Sequence, residues 1–294
     1  MVAASNPSTE LEHPEHNRHQ FATGRATNWI LNLALVGVII VMSLPFYWVL
    51  ITSIVPQLDA FGRPPNWFPT DFSLESFRRV FDSIPFWRMF LNSIKVSLII
   101  TVGSVFTSTL AAYAFARLQF PGRDLLFVIF LAALMIPGQV TIIPTFIIIR
   151  ELGLMNTHEA IYIPALVNVF GIFLLRQFFM RTPRDLEDAA RIDGAGYMRV
   201  LFQIAVPLAA PAISALAVLN FQAAWNDFFA PNLFLTSPEM FTLPVGLVNL
   251  QGQFGGTPTT IFAAITLVLI PVLIVFLLAQ RRLTESIALT GIRG

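Results

Sequence analysis

Long stretches without a charged residue alternate along this chain with short segments that carry arginine. The charge-free runs lie within 26–58, 96–116, 125–149, 160–175, 200–226 and 240–280. A helix needs about 20 mostly apolar residues to cross a hydrocarbon core about 30 Å thick, so the pattern predicts six membrane-spanning helices. The first, fifth and last runs exceed one span and must include loop. The fourth is the shortest, and extends if Arg176 snorkels while Phe178, Phe179 and Met180 sit at the interface. Pro137, Gly138 and Pro144 in the third run, and Pro164 and Gly171 in the fourth, remove helix hydrogen bonds at depths where neighbouring helices or water must replace them.

Composition sets the solvent. Of 294 residues, 55% are hydrophobic and 12% charged, against about 25% charged in soluble domains, and mean hydropathy is +0.71. A net charge of +1 with Lys95 as the single lysine offers nothing to nucleic acid. The absence of cysteine excludes disulfides, thiolate chemistry and cysteine-ligated metals.

Basic residues accumulate on cytoplasmic loops. With six spans both termini share a side, which receives Arg18, Arg25, Arg117, Arg123, Arg176, Arg181, Arg184, Arg191, Arg199, Arg281, Arg282 and Arg293. The other side receives Arg63, Arg78, Arg79, Arg88, Lys95 and Arg150. Twelve against six predicts cytoplasmic termini. Residues 1–25 read as a polar tail with no signal-peptide core, and the spacing of His13, His16 and His19 is outweighed as a metal motif by Pro14 and polar surroundings. The aromatic, proline-rich stretch 56–88 suits short helices lying at the interface.

The interruption between the fourth and fifth runs, DLEDAARIDGAGYMRVLFQIAVPLAAP from Asp185 to Pro211, is the most informative segment. Thr182-Pro183-Arg184-Asp185 offers a hydroxyl cap, a proline and an acid for a helix start. Leu186, Ala189, Ala190 and Asp193 then share a narrow face of small residues, Gly194 and Gly196 end the helix, and a second helix is expected from Tyr197 to Val206.

Asp188 through Gly194, with Pro207 and Pro211 downstream, resembles the EAA loop of ABC importer permeases, with Asp188 where glutamate is usual. AAYAFARLQFPGR, MIPGQVTIIP, the GLMNT of Gly153 to Thr157, FGIFLLRQFF, WNDFF from Trp225 and the tail QRRLTESIALTGIRG narrow the resemblance to carbohydrate (maltose-type) permeases, as the six-helix second member of a heterodimeric pair. Ser286 and Thr290 replace usual glycines, and Arg293-Gly294 stands for Lys-Gly.

The resemblance implies an all-α polytopic membrane protein with the type I ABC importer fold, a permease domain over 26–280, a coupling loop over 181–206 and a cytoplasmic tail over 281–294. It implies that Leu186, Glu187, Asp188, Ala189, Ala190, Arg191, Asp193, Gly194 and Ala195 couple to an ATPase dimer. It further implies a second permease and an extracytoplasmic sugar-binding protein as partners. This chain is expected to bind no cofactor and to catalyse no reaction, because a Walker motif needs a Gly-Lys pair and Lys95 follows Ile94; ATP and Mg belong on the partner ATPase. Polar residues in apolar runs mark pathway candidates or interhelical hydrogen bonds: Asn92, Ser93, Asn168, Asn220, Gln222, Asn226 and Asp227. A secondary transporter or channel, the competing class, would need coupling charges or a filter inside the membrane. A membrane enzyme would need a His, Asp or Glu cluster that no span end supplies.

Overall fold

The computed structural model describes residues 25–57, 67–252 and 257–291, with backbone alone at 25–28, 279 and 281–291. The chain divides into two compact units, with the boundary in sequence between Tyr47 and Trp48. The described residues are helical and turn, with no strand. The histidine-bearing tail, residues 58–66 and the side chains of the C-terminal motif lie outside the described residues.

α1 (Arg25–Ile54) is one helix despite Pro45, and its side chains from Trp29 to Phe46 are exposed. α2 (Glu75–Ser83) is strongly amphipathic and buries Ser76 and Val80. α3 (Phe86–Arg117) is a helix of 32 residues; it contains no proline and carries Arg117 in its last turn, where cations suit the helix dipole.

The third apolar run is not a single helix. α4 (Arg123–Ala133) starts after Gly122, which sits at φ 78°, and α5 (Ile142–Glu151) follows a break. Between them the chain makes turns around Pro137 and Gly138, with Val140 N–H donating to Pro137 O and Thr141 N–H to Gly138 O. Pro137 cannot donate and Gly138 disfavours helix, whereas Pro144 fits the first turn of α5. The fourth run is also interrupted. α6 (Glu159–Ala165) and α7 (Val169–Arg181) flank residues 166–168, and the Asn168 side chain restarts the helix by accepting from Gly171 N–H at 2.9 Å.

α8 (Asp185–Ile192) and α9 (Tyr197–Val200) precede a π-helical turn, Leu201–Ala205, and α10 (Val206–Leu208). The predicted second helix is thus present, running from Tyr197 to Leu208 with the π-helical turn inside it. α11 (Ala210–Trp225) follows, with the path bent by 79° between Tyr197–Leu208 and Ala210–Trp225. α12 (Phe229–Phe234), α13 (Leu243–Gly252) and α14 (Pro258–Gly291) complete the chain.

Among the described residues, Trp29–Ile54, Phe86–Arg117, Glu159–Arg181 and Pro258–Leu278 are each long and apolar enough to cross a membrane, and the bent pair ending at Trp225 makes a fifth candidate. α3 is the axis of the second unit, packing along α7 and α11, while α11 also packs on α14. Gly171 lets α7 approach, since a Cβ there would stand 2.6 Å from Ser108 Oγ and 3.0 Å from Leu216 Cδ2. One core joins Ile84, Met89, Phe221, Trp225 and Leu250; another joins Ala112, Leu175, Phe179, Leu201 and Leu216. Outward side chains such as Val102, Phe106 and Ile274 are apolar and exposed, as a hydrocarbon solvent permits.

Candidate coupling element and intramembrane cavity

α8 collects Asp185, Glu187 and Asp188 in its first turn, where unpaired N–H groups and the helix dipole favour negative charge. The expected hydroxyl cap is absent. Thr182 instead closes α7, its Oγ1 donating to Phe178 O at 3.1 Å, and Arg184 precedes α8 without a side-chain cap bond. An acid-rich first turn replaces the cap electrostatically. The far end follows expectation: Gly194 sits at φ 84°, its N–H donates to Arg191 O at 3.0 Å, and Ala195 N–H donates to Ala190 O at 2.9 Å. This pair of bonds is the Schellman closure, which needs a left-handed residue after the cap.

The helix has two faces of different character. Glu187 is buried, and Ala190 and Ala195 are half-buried against the core containing Val200 and Leu201. Leu186, Ala189, Ile192 and Asp193 are exposed, Ile192 at 87%. The small-residue face thus divides, with Ala190 turned inward and Leu186, Ala189 and Asp193 outward. Arg191 lies with its guanidinium carbon 4.7 Å from the Tyr197 ring centroid, bracing the turn between α8 and α9.

Glu187 is the anchor. Its Oε1 accepts from Arg117 Nε at 2.8 Å, its Oε2 accepts from Tyr113 Oη at 3.2 Å, and Arg117 Nη2 donates to Thr182 O at 2.9 Å. Both charged side chains are only 3% exposed. α8 is therefore clamped to the last turn of α3. Neither Tyr113 nor Arg117 was singled out from sequence as a contact of the loop; the signal was present as an aromatic hydroxyl and a cation four residues apart at the end of the charge-free run 96–116. On the adjacent turn Arg123 hydrogen-bonds Asp124 at 2.9 Å and 3.2 Å and holds its carboxyl below the usual aspartate range.

A cavity of about 520 Å³ opens beside α3, α7 and α11, and its lining includes Ser104, Asn168, Phe170, Asn220, Ala223 and Asp227. Asn168 Nδ2 donates to Asn220 Oδ1 at 2.8 Å, and Asn220 Nδ2 donates to Ser104 Oγ at 2.7 Å. Asp227 lies beyond the end of α11 and lines the same cavity as Asn220. Its Oδ1 accepts from Phe229 N–H at 2.9 Å and Ala230 N–H at 3.3 Å, starting α12.

The other pathway candidates lie elsewhere. Asn92 Nδ2 donates to Glu239 O and Phe241 O, and buried Ser93 Oγ accepts from Leu243 N–H at 2.8 Å, so both fasten the segment before α13 to α3. Asn226 donates to Gln222 O and both side chains are exposed. Sequence reasoning missed a second fastening. Asn156, at φ 60°, accepts from Thr236 and Ser237 N–H and donates to Ser237 Oγ, while buried His158 contacts Lys95 Nζ at 3.3 Å and Met240 O at 2.9 Å. Among the described residues no group of three or more His, Cys, Asp or Glu is placed to hold a metal ion.

A helical membrane protein with a capped, outward-facing element anchored to a span, and a largely apolar cavity that also presents Ser104, Asn168, Asn220 and Asp227, has the build of a solute permease. Residues 103–288 match the family described as binding-protein-dependent transport system inner membrane component, and the chain belongs to that family. It is 31% identical over 275 residues to the arabinooligosaccharides transport system permease protein AraQ of Halalkalibacterium halodurans, covering 92% of this chain and 99% of the relative. It is 34% identical over 252 residues to the sulfoquinovosyl glycerol transport system permease protein SmoH of Agrobacterium fabrum, covering 85% and 88% respectively. Among solved structures, a bacterial ABC transporter involved in import of the acidic polysaccharide alginate matches with a TM-score of 0.77 and 27% identity over 88% of this chain and 98% of that one. The protein is a multi-pass, non-catalytic permease subunit of an ABC importer with the type I fold, in a system that works with a solute-binding protein. That membership sets aside the secondary transporter, channel and membrane enzyme.

Proposed function

We propose that this chain is one of two permeases in a carbohydrate importer, spanning the cytoplasmic membrane six times with both termini inside. Residues 26–280 form the permease domain, and 1–25 and 281–294 are cytoplasmic tails. The second permease completes the pathway, an ATPase dimer carrying ATP and Mg docks on the loop 181–206, and an extracytoplasmic binding protein delivers the sugar. Twelve basic residues on the inner side against six outside support the orientation.

The observation that carries this reading is the division of α8 into an outward face with Leu186, Ala189 and Ile192 and an inward anchor, Glu187, sealed against Arg117. Exposed large apolar groups on a short charged helix suit a protein cleft. The remaining coupling residues have supporting roles: Asp188 favours the helix start, Arg191 braces Tyr197, and Gly194 with Ala195 closes the helix. Nucleotide binding closes the ATPases, α8 moves with them, and α11 changes tilt to alternate access to the cavity. Gly194→Pro removes the N–H donated to Arg191 and cannot adopt the positive φ. The test is to co-express this variant with the neighbouring ATPase and second permease and measure ATP hydrolysis and sugar uptake in proteoliposomes. Hydrolysis without uptake is expected; undiminished uptake would overturn the assignment.

A further inference from the structure

The cavity between α3, α7 and α11 has an electrostatic character that narrows what passes it. Its lining contains amide, hydroxyl and carboxylate groups beside apolar walls from Ile100, Leu134 and Phe170, and includes no lysine, arginine or histidine. Asn168 and Asn220 are fixed by their mutual bond and by Gly171 N–H and Ser104 Oγ. Each amide nitrogen spends one N–H on these partners and retains a second. Asp227 spends Oδ1 on the start of α12, leaving Oδ2 without a hydrogen bond among the described residues.

Spare amide donors and a carboxylate acceptor complement hydroxyls, which both donate and accept. The exposed ring of Phe170 gives the carbon face of a sugar an apolar surface. An anion meets the opposite situation, because it must shed water next to a carboxylate with no lining cation to offset either charge.

We propose that this cavity takes the uncharged, hydroxyl-rich part of a neutral saccharide and that Asp227 disfavours anionic sugars at this point of the pathway. The inference rests on the reading of the chain as a carbohydrate permease with the cavity on its route. It separates this protein by chemistry from the structural neighbour, which is involved in the import of an acidic polysaccharide.

The test uses the complete permease–ATPase complex in nanodiscs, without binding protein, so that discrimination reports the membrane part alone. The probes are the radiolabelled alditol and aldonate of arabinotriose and of maltotriose, which differ in charge at one carbon. For at least one pair the alditol is expected to bind about tenfold or more tighter, an ordinary consequence of one unfavourable charge contact. Asp227→Asn is expected to reduce that gap to about threefold or less by strengthening the aldonate. Equal affinities, a gap that Asp227→Asn leaves unchanged, or binding of neither probe would overturn the proposal. The underlying reading is checked separately with Ala223→Trp, which fills the cavity, in a transport assay containing the binding protein. Blocked uptake with intact assembly upholds the route even if charge preference fails, whereas undiminished uptake removes the cavity from the route.

Discussion

Arg117 and Glu187 are 70 positions apart in sequence and 2.8 Å apart in space, with neither side chain more than 3% exposed. The pair joins the proline-free span α3 to the loop helix. Removing one member strands the other charge out of water, which costs about 3–5 kcal/mol, whereas an apolar pair of similar volume is often tolerated. Glu187→Ala and Arg117→Ala are therefore each expected to lower the thermal midpoint of the purified protein sharply, and Arg117→Met with Glu187→Leu to recover much of the loss. Tryptophan fluorescence during heating measures this. A double variant as unstable as the sum of the singles would show that the two side chains act independently.

Ile192 tests the outward face. At 87% exposure its side chain holds little of the fold together. Ile192→Glu should leave the stability within about 0.5 kcal/mol of the parent while weakening capture of the ATPase on an affinity column. Retention of the ATPase at the parent level would remove Ile192 from the docking surface.

Gly194 tests the closure of α8. No other atom lies within 4 Å of the Cβ position, so substitution acts through the positive φ alone. Gly194→Ala is expected to cost about 1–2 kcal/mol and Gly194→Asn less, since asparagine visits the left-handed region more readily. Equal midpoints for alanine and glycine would mean that the turn relaxes to another conformation.

Gly171 tests helix approach near the cavity. A Cβ there meets Ser108 Oγ at 2.6 Å and Leu216 Cδ2 at 3.0 Å, so Gly171→Val should force α7 away from α3 and α11 and cost about 1–3 kcal/mol. A cysteine pair bridging α7 and α11 would report the separation as slower crosslinking. Unchanged crosslinking and stability would contradict the close packing.

Much of the helical layout was legible because charge-free length is a direct consequence of the solvent: α1 follows its run closely, α3 contains its run but begins ahead of it at Phe86, and the last run holds both α13 and the start of α14. The third run was not legible as a helix–turn–helix, since its hydropathy is continuous and the break comes from Pro137 and Gly138 acting together. In the loop, the glycine stop was readable from Gly194, but Thr182 was expected to open α8 and closes α7 instead. Local sequence offers a hydroxyl to either helix end, and the fold decides between them. Of the polar candidates, Asn168, Asn220 and Asp227 share the cavity, while Asn92 and Ser93 bind backbone near α13. Composition could not separate these roles, because a spanning helix needs polar side chains for both.

The 79° bend before α11, with the π-helical turn Leu201–Ala205 ahead of it, gives the chain an angled crank made from one uninterrupted stretch of backbone. At one end stands Gly194, closing the helix offered to a partner; at the other stands Asn220, in the cavity wall. The widened turn between them carries a backbone bond from Val206 N–H to Leu201 O, one residue wider than ordinary helical spacing and a form frequent at functional sites. Under the proposed coupling, displacement of α8 would reach the cavity wall by rotation about a single bend, with no hand-over between separate folding units.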